Sequence, residues 1–213
     1  MTLPVSYVFL HGGGQGAWVW RETMTALEQQ SGGQSGRTIA LDAPGCGSKR
    51  GADTVVLGVD DVVTELLADI SASGLQEIIL VGHSQAGTIL PRLVMRQPEL
   101  FRRLVYVSCI APLPGRSIVQ QLGSGPQGSN QDEVGWPFDP LTVAANERYS
   151  LMFCNDMNPA ETSAFLGKLG QDRWPAQTMS ASDWSYDHLR SVPSTYVMCL
   201  RDRILRRSVS ATC

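Results

Sequence analysis

The chain has 213 residues, 43% of them apolar, and a formal net charge of −3. That length suits one domain with a sizeable core, and no apolar run approaches the roughly 20 residues of a membrane-spanning helix. Lysine is scarce and the basic residues form no stripe interleaved with aromatics, which argues against a nucleic-acid partner.

The N-terminal MTLPVSYVFL lacks a basic leader and a cleavage site, and Val5–Leu10 already reads as a buried strand. It runs into His11, Gly12, Gly13, Gly14, Gln15, Gly16, Ala17 and Trp18. Glycines after a strand let bare backbone N–H groups face a ligand. A phosphate loop would close on Gly-Lys-Ser/Thr and a dinucleotide loop would space its glycines as G-x-G-x-x-G; neither pattern is present. Helices are predicted near Trp18–Gln30, Val59–Ala72 and Ala86–Gln97, with Pro91 expected to bend the third. SGGQSG at Ser31 to Gly36 reads as a loop. Strands are predicted at Thr38–Leu41, Glu77–Val81, Leu104–Ser108 and Ser194–Leu200. The alternation implies an α/β fold, a parallel sheet covered on both faces.

Within Glu77 to Gly87, EIILVGHSQAG, an apolar strand stops at a small-x-Ser-x-small turn and passes into a helix. Such a corner lifts Ser84 out of the sheet with its hydroxyl free to attack, and Gly82 and Ala86 supply the small flanking residues. From about 112 to 189 the pattern changes to a mobile GSGPQGSNQ entry and short helical pieces near Thr142–Phe153 and Pro159–Leu169. Trp136, Phe138, Tyr149, Phe153, Phe165, Trp174 and Trp184 lie there; most should pack this insertion onto the sheet, with one or two facing a substrate. Cys46, Cys109, Cys154, Cys199 and Cys213 are odd in number and lack metal or redox spacing. Reduced, mostly buried thiols in a cytoplasmic protein are expected, with Cys109 and Cys199 as small core residues. No metal or organic cofactor is implied. The cluster Arg201, Arg203, Arg206 and Arg207 reads as a solvated chain end.

The segments FLHGGGQGAWVW, LDAPGCGSK, LVGHSQAG, RYSLMFCNDMNP and TYVMCLRDRIL, in this order, resemble the alpha/beta-hydrolase superfamily, in its esterase, methylesterase and hydroxynitrile-lyase branch. The resemblance covers nearly the whole chain and implies one domain over residues 1–213 with a lid at about 112–189. It also implies Ser84 as nucleophile, the backbone N–H groups of Gly13 and Gln85 as the oxyanion hole, and Asp202 as the acid that orients an imidazole. The superfamily's histidine should follow Asp202 on a later loop, but only eleven residues remain and none is histidine. His11 is expected to order the glycine loop and His83 to point away from Ser84. His188, before the fifth strand, is poorly placed as a base, though the least implausible of the three. The C-terminal strand and helix are therefore expected to be missing, leaving the fifth strand as an edge that invites homodimerisation.

The resemblance implies a serine hydrolase of small carboxylic esters, impaired by the lack of that histidine. A non-catalytic binding module is the alternative, and a hydroxynitrile lyase ranks lower. Those lyases carry a hydroxyl where Gly12 stands and a lysine near the final loop. Dehalogenases of this fold place an aspartate where Ser84 stands.

Overall fold

A computed structural model describes residues 5–32, 36–122, 143–202 and 204. Five strands, β1 (Ser6–Leu10), β2 (Thr38–Leu41), β3 (Ile78–His83), β4 (Phe101–Val107) and β5 (Ser194–Val197), form one sheet in the order β2-β1-β3-β4-β5. Every neighbouring pair is parallel. The expected strands are all present. β4 begins three residues earlier than expected, and β5 ends at Val197 rather than Leu200. Two ends have a local cause: Glu77 (φ 53°) and Ser108 (φ 43°) adopt left-handed backbone, which no strand can include.

Both faces of the sheet are covered, and the strands alternate accordingly. On one face Val8, Leu10, Ile78, Leu80, Leu104 and Tyr106 pack with α2 (Val59–Ser73) and α3 (Leu90–Arg96). On the other, Phe9 and Val81, with partly buried Tyr7, Ile79 and Val105, meet Trp20, Met24 and Leu27 at the start of α1 (Arg21–Ser31). Burial on both faces is why these strands read as continuous apolar runs. Helix α2 buries Val62, Val63, Leu66, Leu67 and Ile70 at helical spacing, and its Asp61 carboxylate accepts the Gly58 N–H at 2.8 Å at the helix start.

The expected first and third helices differ at their starts. Ala17–Trp20 and Ser84–Thr88 are 3-10 turns that lead into α1 and α3. Pro91 therefore lies in the first turn of α3, where its missing N–H costs nothing, and it bends no helix interior.

Between β4 and β5 run α4 (Ile118–Leu122), α5 (Ala145–Phe153), α6 (Pro159–Leu166) and α7 (Gln177–Ser180). Asn158 caps α6 by accepting from Ala160 N–H and Glu161 N–H at 2.9 and 3.0 Å. Trp136 and Phe138, the whole GSGPQGSNQ segment, and Arg203, Arg206, Arg207 and Cys213 lie outside the described residues. Among the described cysteines, Cys46, Cys109 and Cys154 are buried thiols; Cys199 is exposed, contrary to the expectation of a core residue. No helix among the described residues is long and apolar enough to cross a membrane. In this strand order β1 leads first to β2 on one side and then to β3 on the other. The loops leaving the carboxyl ends of β1 and β3 thus open beside one another, where open α/β sheets bind ligands.

Candidate active site

Leu10 and Gly82 are register partners on β1 and β3, so the His11–Gly16 loop and the corner after His83 leave the sheet side by side. Ser84 sits on that corner with φ 51°, a left-handed conformation held against the ordinary preference of a residue with a Cβ. The strain is held by close packing. A Cβ on Gly82 would lie 3.0 Å from the Ala86 methyl, and a Cβ on Gly87 would lie 2.1 Å from the Ile110 carbonyl oxygen. The Ile110 N–H in turn donates to the Ser84 carbonyl at 2.9 Å.

The glycine loop passes directly over this corner. A Cβ on Gly12 would lie 2.9 Å from both His83 Nδ1 and Ser84 Cβ, and one on Gly13 would lie 2.5 Å from Gln85 Oε1. Gly13 and Gln85 are therefore in contact beside Ser84. Gln85 is the second residue of the 3-10 turn, in the stretch where backbone N–H groups lack intrahelical acceptors. Its side chain is buried and donates to Thr178 Oγ1 at 2.9 Å.

His11 is fully buried, and its ring fixes the loop. Ala43 N–H donates to its Nε2 at 3.2 Å, so the proton sits on Nδ1, which donates to the Gly12 carbonyl at 2.8 Å. The Trp174 indole N–H reaches that carbonyl at 3.1 Å. Burial pushes His11 below the usual imidazole value, against the Gly12 hydrogen bond and the charges of Asp42 and Asp172, so it stays neutral. The expectation that His11 orders the loop agrees with this geometry.

His83 departs from expectation. Its ring does not turn away from Ser84; the two residues line the same pair of adjoining cavities, of about 270 and 240 Å³. His83 Nδ1 lies 3.2 Å from Gln15 Oε1, which also accepts the Gly12 N–H at 3.2 Å. Burial holds His83 down to about 4, with the Asp202 charge working the other way and His11 adding slightly to the lowering.

Asp202 follows β5 and lines the smaller cavity with Ser84 and His83. Its Oδ2 accepts the Ser108 hydroxyl, and its Oδ1 accepts the Ile204 N–H at 2.7 Å. The left-handed Ser108 thus ends β4 and turns its hydroxyl toward this carboxylate. Ser84, Gly13, Gln85 and Asp202 are brought together around one cleft. His188 is not: it is buried, its Nε2 lies 3.3 Å from the Tyr106 hydroxyl on the α2/α3 face, and its Nδ1 has no partner among the described residues.

The larger cavity is apolar, walled by Ile110, Tyr149, Met152, Phe153, Leu169 and Met179. The smaller adds Asn155, Phe165, Cys199 and Arg201. Three of the insertion's aromatic rings therefore face the cleft, while Trp174 and Trp184 are buried as packing.

Downstream of α6 the insertion is tied to the loops below it. Gly170 N–H donates to the Gly14 carbonyl and Arg173 N–H to the Gly45 carbonyl, each at 3.0 Å. The buried Asp172 carboxylate accepts from Gly47 N–H at 2.8 Å, Arg50 Nε at 2.9 Å and Trp18 Nε1 at 3.4 Å. Burial would raise this carboxyl, but those hydrogen bonds and the Arg50 charge outweigh it and hold the group below its usual range. The neighbouring Cys46 thiol is pushed up to about 12 by burial and by the Asp172 and Asp42 charges, which makes it inert as a nucleophile. Gln15, Ser108, Thr178 and Asp172 were not legible as site residues. Each is an isolated polar residue whose partner is set by tertiary structure; only Gln15, inside the glycine loop, stood near a motif.

A family model described as the alpha/beta hydrolase family matches residues 7–212. The chain is similar to a carbendazim hydrolyzing esterase of Nocardioides sp. (strain SG-4G), 27% identical over 117 residues, 55% of this chain and 47% of that protein. It is similar to methyl jasmonate esterase 1 of Vitis vinifera, 25% identical over 216 residues, 94% of this chain and 80% of that protein. It is also similar to polyneuridine aldehyde esterase of Rauvolfia serpentina, 30% identical over 114 residues, 53% and 41% of the two chains. The matched stretch thus spans less than half the length of the Nocardioides and Rauvolfia proteins. Among solved structures, an extracellular alpha/beta-hydrolase from a Paenibacillus species aligns with a TM-score of 0.68 at 19% identity, covering 98% of this chain and 86% of that one. A pyrethroid hydrolase from Sphingobium faniae JZ-2 aligns with a TM-score of 0.70 at 18% identity, covering 99% and 83%. At these identities the structures share the fold.

Proposed function

The chain belongs to the alpha/beta hydrolase family, and on that footing we propose that it hydrolyses small carboxylic esters through an acyl-Ser84 intermediate. The observation that carries the reading is the strained Ser84, presented at the junction of two cavities under a glycine loop. The relatives named as esterases support an ester as the bond attacked.

In this reading Ser84 Oγ attacks the carbonyl carbon, and the backbone N–H groups of Gly13 and Gln85 stabilise the oxyanion. Each such donor contributes about 2.7–4 kcal/mol in enzymes of this kind. Collapse of the tetrahedral adduct expels the alcohol, and water then releases the acid from Ser84. The Asp202 charge stabilises positive charge arising in the cleft. Each cavity falls just under the roughly 300 Å³ at which drug-sized pockets begin, which favours small acyl and alcohol groups. Among the described residues the imidazoles of His11, His83 and His188 bond to partners other than the Ser84 hydroxyl, so activated esters should react best. A cytoplasmic setting accords with the reduced thiols of the four described cysteines.

That same lack of a directly bonded base favours, as a second reading, a module that binds a small molecule without turnover. A fluorophosphonate probe separates the two. Labelling of the native protein that disappears in Ser84→Ala supports the hydrolase, and no labelling of the native protein overturns it in favour of binding. The lyase reading gains nothing from the structure, since Gly12 offers no hydroxyl and a Cβ there would press on His83 and Ser84.

A further inference from the structure

Gln15 fixes the protonation pattern of His83. The amide oxygen of Gln15 accepts the Gly12 N–H, and because a backbone N–H can only donate, the oxygen and not the amide nitrogen lies on that side. The same oxygen faces His83 Nδ1 at 3.2 Å. An amide oxygen cannot donate, so Nδ1 carries the ring proton and Nε2 carries the lone pair. Gln15 is buried, as is the loop carbonyl network around it, and this pattern is held rigidly. The ring so oriented lines both cavities with Ser84, and its Nδ1 edge lies against Gly12. Among the described residues the ring contacts Gln15 rather than the Ser84 hydroxyl, and a base can act across one intervening water.

We propose that His83 is the general base for the water that resolves the acyl-Ser84 ester, with Gln15 as the residue that orients it. This rests on the acyl-Ser84 reading above. The water oxygen bonds to the acyl carbon as its proton passes to His83 Nε2, and the carbonyl electrons move onto the oxyanion. The adduct then re-forms the carbonyl and breaks the bond from the acyl carbon to Oγ. Oγ takes the proton back from Nε2, so the products are a carboxylic acid and the starting enzyme. The charged group acting on the ring is Asp202 from the loop after β5; Arg201 lines the same cavity, and His11 lies behind the glycine loop. The carboxylate offsets the imidazolium charge formed in the step.

The test acetylates the protein with p-nitrophenyl acetate and follows the adduct by intact mass. In the native protein the adduct should form at Ser84 and decay at a rate flat near neutrality and falling in acid, as His83 protonates. In His83→Gln the adduct should still form, and its decay should slow about 10²-fold or more. Gln15→Glu keeps an acceptor for both Nδ1–H and Gly12 N–H while adding a negative charge. It should move the acid limb to higher pH, a shift that a merely structural role would not produce. Unchanged decay in His83→Gln overturns the proposal. Should that variant fail to fold, a native decay rate without an acid limb, or a limb unmoved by Gln15→Glu, overturns it equally. A native protein that forms no adduct refutes the nucleophile instead, an outcome distinct from an adduct whose decay ignores His83.

Discussion

Replacing Asp172 with alanine removes an acceptor whose side chain is completely buried and which receives Gly47 N–H, Trp18 Nε1 and two donors of Arg50, the closer at 2.8 Å. Losing one member of a buried ion pair typically costs about 3–5 kcal/mol. Arg50 is 47% exposed and can return to water, whereas the Gly47 and Trp18 N–H groups are left behind, so the lower end, about 3 kcal/mol, is expected here. At roughly 2–4 °C per kcal/mol for a domain of this size, Tm should fall by about 6–12 °C. Urea unfolding followed by tryptophan fluorescence measures the difference directly. The pH dependence gives a second check. The folded Asp172 carboxyl titrates below its ordinary value of 3.8, so its contribution is fully present above that value and is lost as pH falls through the folded one. The gap between native protein and variant should therefore hold at neutral pH and close only in strong acid. A variant within about 0.5 kcal/mol of the native protein at pH 7, or a gap that persists to the lowest pH, would refute the assignment of charge-assisted bonding to Asp172.

Gly87→Ala would set a methyl 2.1 Å from the Ile110 carbonyl oxygen, a backbone atom that cannot rotate away, and should cost about 1–3 kcal/mol or more in urea unfolding. In Gly12→Ala the clash falls on His83 and Ser84 rather than on the core; kcat for p-nitrophenyl acetate should drop on the order of 10²-fold with Tm little changed. Met179→Ala enlarges the apolar cavity and should raise kcat/KM for butyrate relative to acetate esters, whereas an unchanged ratio would place the acyl group elsewhere.

The sheet was readable because burial on both faces leaves an unbroken apolar run for each strand, and glycine and proline mark the breaks. Strand ends were less readable, since Glu77 and Ser108 carry no compositional sign of their left-handed backbone. Ser84 and its small neighbours could be picked out because the corner constrains three positions at fixed spacing. The side-chain direction of His83 is hidden for a related reason: strand alternation would send it away from its strand neighbour, but the sharp corner at Ser84 ends that alternation. Asp172 could not be found at all, because Trp18 and Arg50 stand 154 and 122 residues from it and nothing local marks it.

The hydrogen bonds from residues 170 to 178 into the glycine loop, the β2 loop and Gln85 divide the insertion mechanically. Its downstream limb is stitched to the floor that bears the reacting groups and cannot swing without dragging that floor along. Among the described residues, the cleft wall outside that limb is formed largely by the upstream pair, α5 and α6, which carry Tyr149, Phe153 and Phe165. Efforts to retune selectivity belong on that pair and on Met179 just past the stitched stretch, since changes at residues 170 to 178 would alter the chemistry before they altered the choice of ester.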